Sequence, residues 1–157
     1  MNSSQDQRLP IGQLLVRMLH QFRVELLRRV HEAGYTDARD PHMQVFGNIH
    51  RRGTRLTELA ARANMTRPSM AELVDDLEAK GYLERHPDPD DRRAKLICLT
   101  PLGRQAVRTA LLNVKEMEKD YARRVGEQRF EEMCRTLQDL LDDLAQEDLP
   151  TSAEDQA

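Results

Sequence analysis

The chain has 157 residues, 39% hydrophobic and 32% charged, with three Tyr, three Phe and no Trp, the proportions of one helix-rich globular domain, alone or with an oligomerisation element. They exclude a disordered chain; no run approaches the roughly 18 apolar residues of a spanning helix, and MNSSQDQRLP lacks a secretory pattern, so no membrane partner and a cytoplasmic location are expected. The net charge of −3 hides an uneven distribution: residues 51–104 hold eleven Lys/Arg against nine Asp/Glu, residues 116–157 five against thirteen, a pattern compatible with a nucleic-acid-facing middle beside an acidic end.

From Ile11, the apolar residues Ile11, Leu14, Leu15, Met18, Leu19, Phe22, Leu26 and Val30 keep the three-and-four spacing of one helix face, and Gly34 closes the run. Asp40-Pro41 predicts a second helix, with Asp40 as its cap, reaching about His50 and burying some of Met43, Val45, Phe46 and Ile49. Thr57 is expected to cap a short helix whose apolar positions are Leu59, Ala60 and Ala63, and Asn64 stands where the chain must turn sharply. Thr66 caps the next helix, Pro68 fits its first turn, and Met70, Leu73, Val74 and Leu77 form its buried stripe before Gly81. Two short helices across a tight turn make a helix-turn-helix.

Residues 82–86 and 95–100 are rich in β-forming types and flank a Pro/Asp/Arg tip, HPDPDDRR, so they read as two arms of a hairpin, a wing. Thr100 then caps a helix beginning with Pro101, whose face runs through Val107, Leu111, Val114, Met117, Tyr121 and Val125. Phe130, Met133, Cys134, Leu137, Leu140, Leu141 and Leu144 line a last helix, and the tail from about Asp148 is polar and expected to be disordered. The expected fold is mainly α with a small β-hairpin wing: a helix in residues 1–35, a winged helix-turn-helix in 36–100, further helices in 101–147 and a tail in 148–157.

Few residues carry chemistry. Thr66 and Ser69 can donate to phosphates, Arg67 can reach a phosphate or a guanine edge, and the helix start that includes Pro68 favours an anion nearby. Thr66 would be needed as a plain cap in any helical protein. Arg51, Arg52 and Arg55 precede the short helix and could meet the DNA backbone, although charge runs are usually solvated faces. At the tip, Asp91, Arg92 and Arg93 suit a narrow, negative minor groove, with Arg93 as the inserted guanidinium, Asp91 holding it in place and Pro87 and Pro89 restricting the backbone. The charge pattern alone fits a solvated turn with an ordinary surface ion pair equally well. Cys98, on a wing strand, and Cys134, on the apolar stripe of the last helix, read as inert, buried thiols. The five histidines are scattered with no metal-ligand spacing, and no phosphate loop, nucleophile elbow or carboxylate pair occurs, so neither metal, cofactor nor catalysis is expected.

The wing sequence, Asp91-Arg92-Arg93 followed by Leu96, Leu99-Thr100 and Gly103, resembles the D-x-R…L-x-x-L-T-x-x-G pattern of the MarR family of winged helix-turn-helix regulators. Leu59-Ala60, Thr66-Arg67, Leu73-Val74 and LEAKGYL at 77–83 are similar to the pattern before it, and the helix order agrees along nearly the whole chain. The resemblance implies N- and C-terminal dimerisation helices and a homodimer. It further implies double-stranded DNA as partner: a pseudo-palindromic operator with recognition helices in major grooves and wings in minor grooves. It also implies a repressor released by a small aromatic or phenolic effector, for which Arg17, His20, His42 and Phe46 are the candidate contacts. Peroxide-sensing members carry a cysteine early in the first helix, and residues 11–19 have none. Asn64 replaces the family's turn glycine, Glu72 stands where a base-reading Arg or small polar residue is frequent, and Asp75, Asp76 and Glu78 make the later recognition helix acidic. A winged module that binds a protein partner instead of DNA is the alternative.

Overall fold

The computed structural model describes residues 8–147, which form six α-helices, a 3-10 turn and three strands. The expected disordered tail at 148–157 lies outside the described residues. Residues up to Val114 form one compact unit and those from Lys115 a second, the division falling inside a single long helix.

In the first unit, helix α1 (Ile11–Glu32) begins after Pro10 and ends before Gly34, whose φ of +102° reverses the chain. The Asp40–His42 3-10 turn follows and leads into α2 (Met43–Phe46). Three expectations are corrected here. Asp40 is the first residue of the turn and Arg39 precedes it as the cap, where the Arg39 backbone N–H donates to His42 Nδ1 at 3.1 Å. The helix stops at Phe46 instead of about His50, because Gly47, Asn48 and Gly53 lead into β1 (Thr54–Arg55). Helix α3 (Leu56–Arg62) starts one residue before Thr57, so Arg55 and not Thr57 is the N-cap residue.

Asn64 adopts φ +50°, the one left-handed non-glycine residue among those described, and turns α3 into α4 (Arg67–Ala79). Thr66 caps α4 as expected, its Oγ1 accepting the Ser69 N–H at 3.2 Å. Strands β2 (Leu83–Pro87) and β3 (Lys95–Leu99) pair antiparallel from Leu83 opposite Leu99 to Pro87 opposite Lys95. Strand β1 adds to the other edge of β3, Thr54 opposite Ile97 and Arg55 opposite Leu96, so the sheet has three strands in the order β1-β3-β2. A two-residue strand has no period to read, and only its pairing reveals it.

Helix α5 (Pro101–Val125) leaves the sheet through a tight joint. Thr100 Oγ1 accepts the Gly103 N–H at 3.0 Å and donates to the Gly81 carbonyl at 2.6 Å. A Cβ on Gly103 would stand 2.1 Å from the Tyr82 carbonyl oxygen, so glycine is the residue that lets α5 start this close to the end of α4. Val45, Leu59, Met70, Val74, Leu77, Tyr82, Leu83 and Ile97 fill the core between helices and sheet. In the second unit, Gly126, at φ +96°, separates α5 from α6 (Glu127–Glu147), and the Tyr121 and Phe130 rings lie 6.4 Å apart.

Candidate nucleic-acid interface

The start of α4 is an exposed, capped helix N-terminus. Thr66, Arg67, Pro68 and Ser69 are all exposed, and the Thr66 hydroxyl, besides accepting the Ser69 N–H, donates to Ser69 Oγ at 2.9 Å. Capping therefore occupies Thr66, while Ser69 keeps its own hydroxyl proton. Arg67 has no ion-pair partner among the described residues. Pro68 has no N–H and Thr66 accepts those of Ser69 and Met70, so the anion-attracting feature is the unpaired Arg67 guanidinium at the positive end of the helix dipole.

The later turns of α4 are not the acidic surface that the sequence suggested. Asp75 and Glu78 both pair with Arg85 on β2, the Asp75 contact at 2.6 Å. Asp76 accepts from Lys80, Arg39 and His42, which hold its carboxyl well below the usual carboxylate range, Lys80 most strongly. All three carboxylates are engaged by cations or imidazole, and the same contacts tie α4 to β2 and to the turn before α2.

The wing tip is organised by Asp88, which the sequence reading passed over. Its side chain is 5% exposed. One carboxylate oxygen accepts the Asp90 N–H at 2.9 Å and the other accepts Arg55 Nε at 2.6 Å, and its backbone N–H donates to Ala94 across the tip at 3.1 Å. Those bonds, the backbone N–H first and Arg55 next, lower the Asp88 pKa. Arg55 is thus a strut between β1 and the tip, 41% exposed at its side chain.

Asp91 acts differently from its expected part. Its Oδ1 accepts the backbone N–H of Arg93 at 3.0 Å, an Asx turn, and no Asp91–Arg93 ion pair forms among the described residues. The aspartate fixes the backbone from which the arginine projects, and the guanidinium stays loose. Arg92 and Arg93 are both exposed and, among the described residues, unpaired. The motif pattern could have pointed to Asp88: three carboxylates on one tip exceed what one arginine needs, and the first is poised to close the turn.

The candidate effector contacts divide. His42 and Phe46 line a cavity of about 460 Å³ in the first unit, while Arg17 and His20 are exposed on α1 and outside its lining. His42 is 1% exposed; Nε2 donates to Asp76 at 2.7 Å, Nδ1 accepts the Arg39 N–H, and burial is the main cause that lowers its pKa. Burial also raises the pKa of Cys98 and Cys134. Among the described residues no group of three or more His, Cys, Asp and Glu could hold a metal ion, and no helix is long and apolar enough to cross a membrane.

Residues 33–94 match the MarR family model. Over 75 residues the chain is 31% identical to a putative transcriptional regulatory protein for the hcr operon of Thauera aromatica, covering 48% of this chain and 45% of that protein. Over 52 residues it is 36% identical to the HTH-type transcriptional regulator YdcH of Bacillus subtilis, covering 33% and 35%. The matches thus span less than half the length of these curated relatives. Among solved structures, MarR superposes with a TM-score of 0.71 at 26% identity, over 92% of this chain and 99% of that one. The Staphylococcus aureus MepR–DNA complex does so with a TM-score of 0.68 at 22% identity, over 87% and 99%, a likeness of fold. Wing pattern, capped α4 start and helix order agree with the match of residues 33–94 to the MarR family model, and the fold is the winged helix-turn-helix of the structures it superposes on.

Proposed function

We propose that this protein is a sequence-specific DNA-binding transcriptional regulator. The observation that carries the reading is that Arg67 on α4 and Arg92 and Arg93 on the wing are exposed and unpaired among the described residues, while the neighbouring arginines Arg55 and Arg85 are committed to carboxylates. The fold holds back some of its cations and spends others on rigidity. The start of α4, through Arg67, Pro68 and Ser69, enters a major groove, and Arg93 reaches the adjacent minor groove from the wing. Arg92 lies beside them and meets a phosphate, Arg55 acts through the wing tip it braces, and Asp91 sets the Arg93 backbone. The names of the relatives, both transcriptional regulators, support the same reading.

In this reading the protein acts as a homodimer on a pseudo-palindromic operator, as a repressor, and a small aromatic effector releases it. Exposed Ile11, Leu14, Leu15 and Met18 on α1, and Leu140, Leu141 and Leu144 on α6, supply apolar surface for a second copy.

The test is titration of purified protein with labelled DNA from beside its own coding region, against random competitor at two salt concentrations. With ~6–10 phosphate contacts, affinity should fall roughly 10³–10⁵-fold between about 50 and about 200 mM salt. Binding that is absent, or equal on random DNA, sinks the reading for that operator and favours a protein partner.

A further inference from the structure

The cavity beside His42 has a wall of distinctive electrostatic character. Phe22, Tyr35, Phe46 and Tyr82 supply aromatic surface, and no Asp or Glu is in the lining. Its two guanidiniums, Arg23 and Arg39, are each already engaged. Arg23 Nε donates to Asp40 Oδ1 at 2.7 Å, and Arg39 pairs with Asp76, which Lys80 and His42 also hold.

The neutral polar groups are mostly committed too. Both ring nitrogens of His42 are bonded, the Tyr82 hydroxyl donates to Asp37 at 2.6 Å, and the Asn48 amide donates to the Gln44 carbonyl at 2.8 Å. The Tyr35 hydroxyl, the Gln44 side-chain amide and the Asn48 side-chain oxygen are the lining groups for which the described residues supply no hydrogen-bond partner.

We propose that this cavity takes an uncharged, mainly apolar aromatic molecule bearing one or two hydrogen-bonding groups, and discriminates against both organic acids and amines. The inference rests on the effector reading above and narrows its chemistry. A carboxylate entering here leaves water and finds each guanidinium already sharing its charge with an aspartate, so its desolvation is not repaid by a new counter-charge. An ammonium fares no better, since the lining holds no carboxylate and the nearby aspartates are already paired with the guanidiniums. An apolar ring system loses nothing on leaving water and covers four aromatic side chains. A hydroxyl or carbonyl on it can meet Tyr35 or Gln44.

The test uses three probes with one skeleton, 2-naphthalenemethanol, 2-naphthoate and 2-naphthylmethylammonium, titrated calorimetrically into the full chain at about pH 7, where the latter two are charged. The alcohol should bind at least about tenfold more tightly than either ion. It should also shift the methyl resonance of Ala110, which lines the cavity, while leaving that of Met133 on α6 unmoved. An acid or amine that binds as well as the alcohol overturns the proposal, as does failure of all three to bind, or binding that leaves Ala110 unperturbed. Operator binding is measured in the same samples, which separates the readings. Selective alcohol binding by a chain indifferent to DNA supports the ligand class and removes the regulator reading, whereas operator binding with no alcohol bound overturns the ligand class alone.

Discussion

Arg93 and Asp88 differ in what their removal leaves behind. Arg93 is exposed and unpaired among the described residues, so Arg93→Ala strands no buried group and should leave helical content and melting temperature unchanged. Operator affinity, measured by fluorescence anisotropy, should drop by about tenfold or more per site, the worth of a good groove contact; unchanged affinity would remove Arg93 from the interface. Asp88→Ala strips partners from the Asp90 N–H and from Arg55 together. It should speed hydrogen exchange in the wing and weaken DNA binding although Asp88 itself touches none, and an unaltered exchange pattern would show that the strut is dispensable.

His42 carries a pH prediction at the same scale. Asp76, Arg39 and Lys80 face it, and burial, outweighing Asp76, puts its folded pKa below the ordinary 6.5. Between the two values the unfolded chain binds a proton that the folded chain refuses, so stability falls as pH drops below about 6.5. Thermal melts from about pH 7.5 to about pH 5.5 should show this loss, and His42→Gln should flatten it. A variant that loses stability as steeply as the parent would place the sensitive group elsewhere.

At the scale of elements, the joints are glycines and caps. Thr66→Ala should cost about 1 kcal/mol, the ordinary value of an N-cap, and expose the α4 start to fraying. Gly103→Ala should cost more, toward the upper end of the roughly 1–3 kcal/mol of an overpacked site, because the new methyl meets a backbone oxygen that a side-chain rotamer cannot move. Urea titrations of the two variants check the order, and a Gly103→Ala chain as stable as the parent would mean that α5 shifts freely. These joints were legible in the sequence: Asn64, Thr66, Gly81 and Thr100 each sit where their local chemistry is required. Strand β1 was not, since two residues have no period and only pairing with β3 defines them, whereas the early end of α2 has a local signal in Gly47 that the Asp40-Pro41 start outweighed.

For the whole molecule, the exposed apolar stripes call for a partner. Leu15 on α1 is 49% exposed and Leu141, on the strongly charged α6, 61%. Sedimentation is expected to give a dimer, and Leu15→Glu or Leu141→Glu should shift it to monomer and lower operator affinity together. A parent chain that sediments as a monomer would undo the dimeric reading.

The sequence by itself determined the long helices, the helix-turn-helix and the two arms of the wing, because helical period, cap residues and turn residues act over a few positions of chain. It also carried the resemblance to the MarR family, through the spacing of the wing and α4 residues. Which charges are free and which are committed was decided only by the tertiary structure. Asp88 found Arg55, 33 residues away, Asp76 found Arg39, 37 residues away, and Asp91 took a backbone N–H in place of the nearby guanidinium. Carboxylates and guanidiniums pair through space within a few ångströms, and that proximity is set by how helices and sheet pack, which no local pattern encodes.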